Sequence, residues 1–305
     1  MKIVQDNYTY QALTNPDRIR VTENGAWVAT FTIDCYTVTL AGPARAFFET
    51  FRSGGASHTV TVSHSTWVRA APGPVDAHID ERWLSCALAA NHAGTPDALA
   101  IAMQYIKGAP PIFQGDLQIA GDASYGPLLL NGTRDEGSDF NDYLGLRWLY
   151  PADAPDRPEA SQHRCLDCSG YMRMVWGYRH HLPDAGYPDT VPLSRRPQSN
   201  TTLPRRSFEI YDGATGIILI ENVGTQATDL DILDVGDLVF FDVESDDGAR
   251  LDHVGMYLGT DGSGARRFIS SRDTPNGPTL ADAGRRSILN GTGTYARRFR
   301  AARRL

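Results

Sequence analysis

The sequence predicts an α+β protein in two parts: a β-rich part with two helices, then a part in which a single helix packs on an antiparallel sheet. Three observations predict it. The runs GAWVATFTIDCYTVTLAG and SHTVTVSHSTWVRA, both before residue 75, alternate β-branched or aromatic residues with polar ones. Residues 80–107 carry two helix starts. From Cys168 a helix-period stretch gives way to strand patterns that run to the last residue.

Each element follows from local chemistry. Asn24-Gly25 is a hairpin turn between RIRVTE and AWVATFTI. Cys35 falls inside a strand, as a core residue, and AAPGPV at 70–75 closes the region with turn residues. Asp80 caps ERWLSCALAANHA, whose apolar face is Trp83, Leu84, Ala87 and Leu88, with Cys86 in packing. Thr95-Pro96-Asp97 starts a second helix, ALAIAMQYI, which KGAPP at 107–111 breaks. The Gly- and Asp-rich segment 112–140 reads as loops and short strands, and the division is placed there, giving parts 1–120 and 121–305. DFNDYLGLRWLY, residues 139–150, reads as a short helix before a Pro-rich loop.

The stretch CLDCSGYMRMVWGYR, residues 165–179, organises the second part. Tyr171, Met174, Val175 and Tyr178 lie on one helix face, Asp167 is the N-cap, and the helix ends near His180, His181 and Pro183. Cys168 therefore opens a helix, where the dipole favours an anion and is expected to hold the thiol below its free value of about 8.5. Gly170 is expected to leave room for a substrate at the first turn. A helical cysteine is ordinarily a packing residue. Catalysis requires a base beside it.

A Pro- and Arg-rich connector, 182–206, follows. Strand patterns then resume: SFEIYDGATGIILIE, the turn Val235-Gly236-Asp237, the apolar strand Leu238 to Phe241, a hairpin loop SDDGAR at 245–250, and LDHVGMYLG with His253 at its start. ARRFISS and GTYARRFRAARRL complete the sheet.

A nucleophile at a helix start, an apolar strand and a His leading the next strand form the layout of papain-like cysteine hydrolases. On Asp167-Cys168-Ser169-Gly170, Gly236-Asp237-Leu238-Val239-Phe240-Phe241 and His253-Val254-Gly255-Met256-Tyr257-Leu258-Gly259, the chain resembles the NlpC-type family, known chiefly as bacterial cell-wall endopeptidases. The likeness covers roughly residues 135–305, with Arg303-Arg304 a weaker echo of the family's last strand. It implies Cys168 as nucleophile and His253 as general base and acid, with Asp167 and Ser169 beside the substrate. Two departures stand out. The family's imidazole-orienting residue, usually His, Asn or Gln, falls on Ser270, with Ser271 and Asp273 as substitutes. The family's Tyr-x-x-Gly-Gly setting is replaced by GLRWLYPAD, which offers Trp148 and Tyr150 as substrate-binding residues or as core.

Cys165-x-x-Cys168 also admits a zinc or redox reading, with His163 and His180 or His181 as further ligands, though no second CxxC or HxxxH follows it. No metal or organic cofactor is expected. No apolar run approaches the roughly 20 residues of a membrane span. The first residues, MKIVQDNYTYQAL, have no apolar signal core, so a cytoplasmic location is expected. Four cysteines make no disulfide framework, and a net charge of -7 disfavours a nucleic-acid partner. The expected reaction is amide hydrolysis on a peptide or peptidoglycan-derived substrate through a thioester. A transacylase sharing the same residues, or a binding module with a degenerate site, is the alternative.

Overall fold

The computed structural model describes residues 8–151, 153–180, 190–244, 248 and 250–305. The first sheet has five antiparallel strands in chain order: β1 (Tyr8–Leu13), β2 (Arg18–Glu23), β3 (Ala26–Thr32), β4 (Thr37–Ser53) and β5 (Ala56–Ala70). Asn24 and Gly25, with φ of 50° and 81°, make the β2–β3 turn that the Asn-Gly pair predicts. Cys35 departs from expectation. It is fully buried but lies between β3 and β4, after Asp34 at φ 64° turns the chain.

The β4–β5 hairpin is long, and its pairing breaks between Ala41 and Arg45. At Gly42 a Cβ would stand 2.3 Å from the Trp67 indole, so only glycine lets the ring lie against that backbone. Arg45 stacks 3.7 Å from the Trp67 ring and pairs with Asp97. Asp97 also caps the second helix, accepting from Ala100 N–H at 3.0 Å.

α1 (Glu81–His92) starts at Asp80, whose carboxylate accepts from Trp83 N–H, and packs on the first sheet with Trp83 against Phe31. α2 (Ala98–Met103) leads to the small hairpin β6 (Ile112–Gln114) and β7 (Leu117–Ala120). α3 (Phe140–Leu144) is followed by α4 (Cys168–Arg173), which continues as a wider, π-type turn over Met174–Arg179. α5 (Ser207–Gly213) replaces the strand expected there, since the Glu209 carboxylate accepts from Arg206 N–H at 3.1 Å and starts a helix.

The second sheet comprises β8 (Ile217–Ile220), β9 (Leu238–Phe241), β10 (His253–Thr260), β11 (Arg266–Arg272), β12 (Gly277–Thr279) and, after α6 (Thr294–Arg298), β13 (Phe299–Arg304). Its order is β12-β11-β10-β9-β13-β8, antiparallel throughout, so the last strand sits inside the sheet. Arg304 on β13 forks onto Asp237 at 2.7 and 2.8 Å, and Leu305 O accepts from Thr37 N–H at 2.7 Å.

The main core crosses residue 120. Phe47, Val60 and Val68 of the hairpin and Leu99 of α2 pack in one cluster with Tyr171 and Trp176 of the cysteine helix and Val254 and Met256 of β10. Each fully buried side chain of this size contributes about 1.5–3 kcal/mol. Three polar links add to it. Tyr171 Oη donates to Ala102 O at 2.7 Å, and His180 Nε2 accepts from Ala70 N–H at 2.8 Å. Buried Glu49 on β4 accepts from Thr279 Oγ1, Leu280 N–H and Ala281 N–H beside β12.

Candidate active site

Cys168 is the first residue of α4 and is 6% exposed. Asp167 caps that turn as the sequence predicts: its Oδ1 accepts from Gly170 N–H at 2.7 Å and from Ser169 Oγ at 3.1 Å. Gly170 serves a different purpose from the one expected. A Cβ there would lie 2.2 Å from Ser138 O, so the glycine admits the 137–139 backbone, not a substrate. Arg205 then clamps the cap, donating to Asp167 Oδ2 at 2.7 Å and to Ser169 Oγ at 2.7 Å, and pairing with Asp139 at 3.5 Å. Arg173 of the same helix holds Asp139 from the other side at 3.0 Å.

Cys168 Sγ points at the head of β10, donating to Asp252 O at 3.8 Å. Its pKa lies above the ordinary thiol value, not below it. Burial is the main cause, and the nearby Asp167 and Glu136 carboxylates add to it. Burial and these two carboxylates outweigh the dipole of the six-residue α4.

His253 opens β10 and is 8% exposed. Its Nε2 lies 3.0 Å from Ser270 Oγ on β11, and its ring packs 5.3 Å from Tyr295 and 5.8 Å from Phe241. Burial, then the charge of Arg272, lowers the imidazole to about 3, so the ring is neutral at physiological pH. Among the described residues no hydrogen bond joins Sγ to the ring: the two groups rest as thiol and neutral imidazole. With Nε2 turned to Ser270, Nδ1 is the nitrogen left to receive a proton.

Of the substitutes for Ser270, Ser271 Oγ donates to Leu166 O at 2.5 Å, tying β11 to the segment before Cys168. Asp273 accepts from Thr274 N–H at 2.6 Å. Ser270 Oγ has a second partner, Arg272 Nε at 3.0 Å.

Two adjoining cavities meet here. One of about 360 Å³ is lined by Cys168, Asp167, Ser169 and Phe208, the other of about 350 Å³ by His253, Arg272, Arg285 and Tyr295. Tyr125, Glu136, Glu244 and Asp252 line both. Trp148 and Tyr150 line neither. Trp148 packs edge-on against Phe140, and Tyr150 Oη accepts from Arg173 Nη2 at 2.6 Å behind the helix. The aromatic side chain shared by both cavities is Tyr125, whose hydroxyl donates to Glu136.

Tyr125, Glu136, Arg205 and Arg272 were not singled out by the sequence. Arg205 had a signal: a buried cap carboxylate needs a counter-charge, and the Arg-rich connector was the nearest supply. Arg272 also had one, lying two residues beyond Ser270 on the same strand face.

All four cysteines are free. Cys165 Sγ lies 3.9 Å from His163 O, and His180 is engaged with Ala70 N–H. Among the described residues no three His, Cys, Asp or Glu side chains converge to hold a metal, and His181 lies outside those residues.

Residues 157–277, which carry Cys168, His253 and Ser270, match the NlpC/P60 family. Among solved structures, a protein described as similar to a lipoprotein of the NLP/P60 family, from Staphylococcus aureus subsp. aureus Mu50, is 22% identical over 54% of this chain with a TM-score of 0.25. This chain covers 38% of that one. An NlpC/P60 family protein from Bacillus cereus ATCC 10987 is 13% identical over 97% of this chain and 78% of its own, with a TM-score of 0.29. No curated protein matches the chain.

Proposed function

We propose that the protein is a cysteine-dependent amide hydrolase acting on a peptide through a thioester on Cys168. The observation that carries this reading is the pair of adjoining cavities: one opens on the thiol at a helix start, the other on the imidazole at a strand start, and they share four wall residues.

The chemistry follows from the resting state. The Cys168 side chain turns from Asp252 O toward the ring, and its proton passes from Sγ to His253 Nδ1. The thiolate adds to the substrate carbonyl, and the carbonyl π pair becomes an oxyanion. The Cys168 backbone N–H, one of the helix's unsatisfied first donors, supports that oxyanion. The C–N bond then breaks, its electron pair leaving with the amine, which takes the proton from the imidazolium. Water adds to the thioester, giving its proton to the ring. The thiolate then leaves with the C–S electron pair and regains the proton. Ser270 holds Nε2 throughout, so Nδ1 stays aimed at the cleft.

A second reading, transfer of the acyl group to an amine or alcohol, draws support from the low exposure of Cys168 and His253, 6% and 8%, because a site with little room for bulk water protects a thioester. Intact-protein mass spectrometry after incubation with a pool of peptides and amines tests both. An acyl mass on Cys168 that is discharged to the free acid supports hydrolysis; discharge to an amide supports transfer. Cys168→Ala is expected to lose the adduct and at least roughly 10³-fold in rate. A wild-type thiol inert to iodoacetamide at neutral pH, with function surviving Cys168→Ala, sinks both readings in favour of a binding module.

A further inference from the structure

Arg272 stands apart among the buried cations around the site. It is 1% exposed, and among the described residues no carboxylate lies within ion-pair distance of it. Three of its five N–H groups are spent: Nε on Ser270 Oγ, Nη1 on Arg285 O at 3.0 Å and Nη2 on Ser287 Oγ at 2.6 Å. Its guanidinium lies 4.4 Å from the Tyr295 ring centroid. Keeping an unpaired cation out of water is costly, and buried arginines ordinarily have an anion. Arg285, beside it, has an exposed side chain with no hydrogen-bond or ion-pair partner among the described residues. Both line the cavity that holds His253.

Arg272 and Arg285 oppose protonation of the imidazole, with Asp167 favouring it, whereas Asp167 and Glu136 raise the thiol, with Arg205 opposing them. Of the carboxylates lining this cavity, Glu244 is exposed and the other three are already engaged. Asp252 accepts from Val243 and Glu244 N–H at 2.9 and 2.6 Å, Asp273 from Thr274 N–H, and Glu136 from Tyr125. Because the imidazole hands its proton to the departing amine, the leaving group lies on the imidazole's side of the cleft.

Resting on the reading of Cys168 and His253 as nucleophile and base, we propose that the cavity beside His253 is a carboxylate subsite, in which Arg272 and Arg285 receive the acid group of an amino-acid or short peptide-acid leaving group. The two unspent N–H groups of Arg272 and the free fork of Arg285 match a carboxylate's acceptor geometry. An anion between them also offsets the two charges that oppose protonation of the ring, so a correct leaving group helps generate the thiolate–imidazolium pair. A substrate ending in a carboxamide lacks that help. Specificity and activation then come from the same contact.

The test uses two alkylating probes of nearly equal size and opposite character, iodoacetate and iodoacetamide, with peptide mapping to follow Cys168 alone. The ratio of the two rates at low ionic strength is expected to fall roughly fivefold in Arg285→Gln and to be largely kept in Arg285→Lys. Alkylation by both probes with the same ratio in wild type and Arg285→Gln overturns the subsite while leaving the nucleophile standing. No alkylation of Cys168 by either probe overturns the nucleophile, and the subsite with it.

Discussion

Two largely buried arginines flank the cleft, and they are bound in opposite ways. Arg205, behind the thiol, holds Asp167 and Asp139, so its charge is spent on fixing the first turn of α4. Arg272, behind the imidazole, hydrogen-bonds only hydroxyls and a carbonyl, and the Glu49 and Asp282 carboxylates act on it only from beyond ion-pair distance. The first arrangement is how a fold secures a helix start. The second costs stability and serves something that arrives from outside. One cleft thus has a finished wall and an unfinished one.

Removing each charge measures this difference. Arg205→Ala leaves the buried Asp167 carboxylate without its counter-charge, while Asp139 keeps Arg173, and is expected to cost about 3–5 kcal/mol of stability, read by denaturant unfolding. Arg272→Met fills the same volume and strands no carboxylate, so its loss should stay within about 2 kcal/mol. An equal loss for both would erase the contrast. Ser270→Ala removes the hydrogen-bond partner of the imidazole Nε2, and kcat is expected to fall roughly tenfold with KM little changed. A larger rise in KM would make Ser270 a substrate contact instead.

Acid titration sharpens the imidazole side. The folded His253 pKa of about 3 lies below the ordinary value near 6.5. Between those values the unfolded chain binds a proton that the folded chain does not, so stability falls as pH drops through that window. Comparing wild type with His253→Gln isolates this contribution: the variant should lose less stability between pH 6.5 and 3. The smallest effect is expected at Glu49, whose carboxyl is raised by burial above its ordinary range. A group raised in this way stabilises most when protonated, and its contribution falls as pH rises through the folded value. Glu49→Gln should therefore change stability by about 1 kcal/mol or less and flatten that fall.

What the sequence made legible was local. The Asn24-Gly25 turn, the Asp80 and Asp167 caps, the apolar strand Leu238–Phe241 and the His at the head of β10 each rest on neighbours a few positions away. The positions of Cys168, His253 and Ser270 are legible because each sits at a fixed place in such an element. Tyr125, Glu136 and Arg205 arrive on connections, and nothing local assigns a loop residue to a cleft. The thiol's pKa is raised against the helix dipole by burial first, then by Asp167 and Glu136, and the local sequence reveals neither the burial nor Glu136. Trp148 and Tyr150 were placed by analogy of position, but the buried Arg173 draws the Tyr150 hydroxyl away to the back of the helix.

Glu49 reaches from the long β4–β5 hairpin to the strand that borders Ser270's own, and Tyr171 reaches back to α2. Residues 121–305 are consequently not a portable cassette. Cut at residue 120, they would keep Cys168, His253 and Ser270 yet lose the strut that ties β12 to the hairpin. Attempts to graft this cleft onto another scaffold would need to bring the hairpin along.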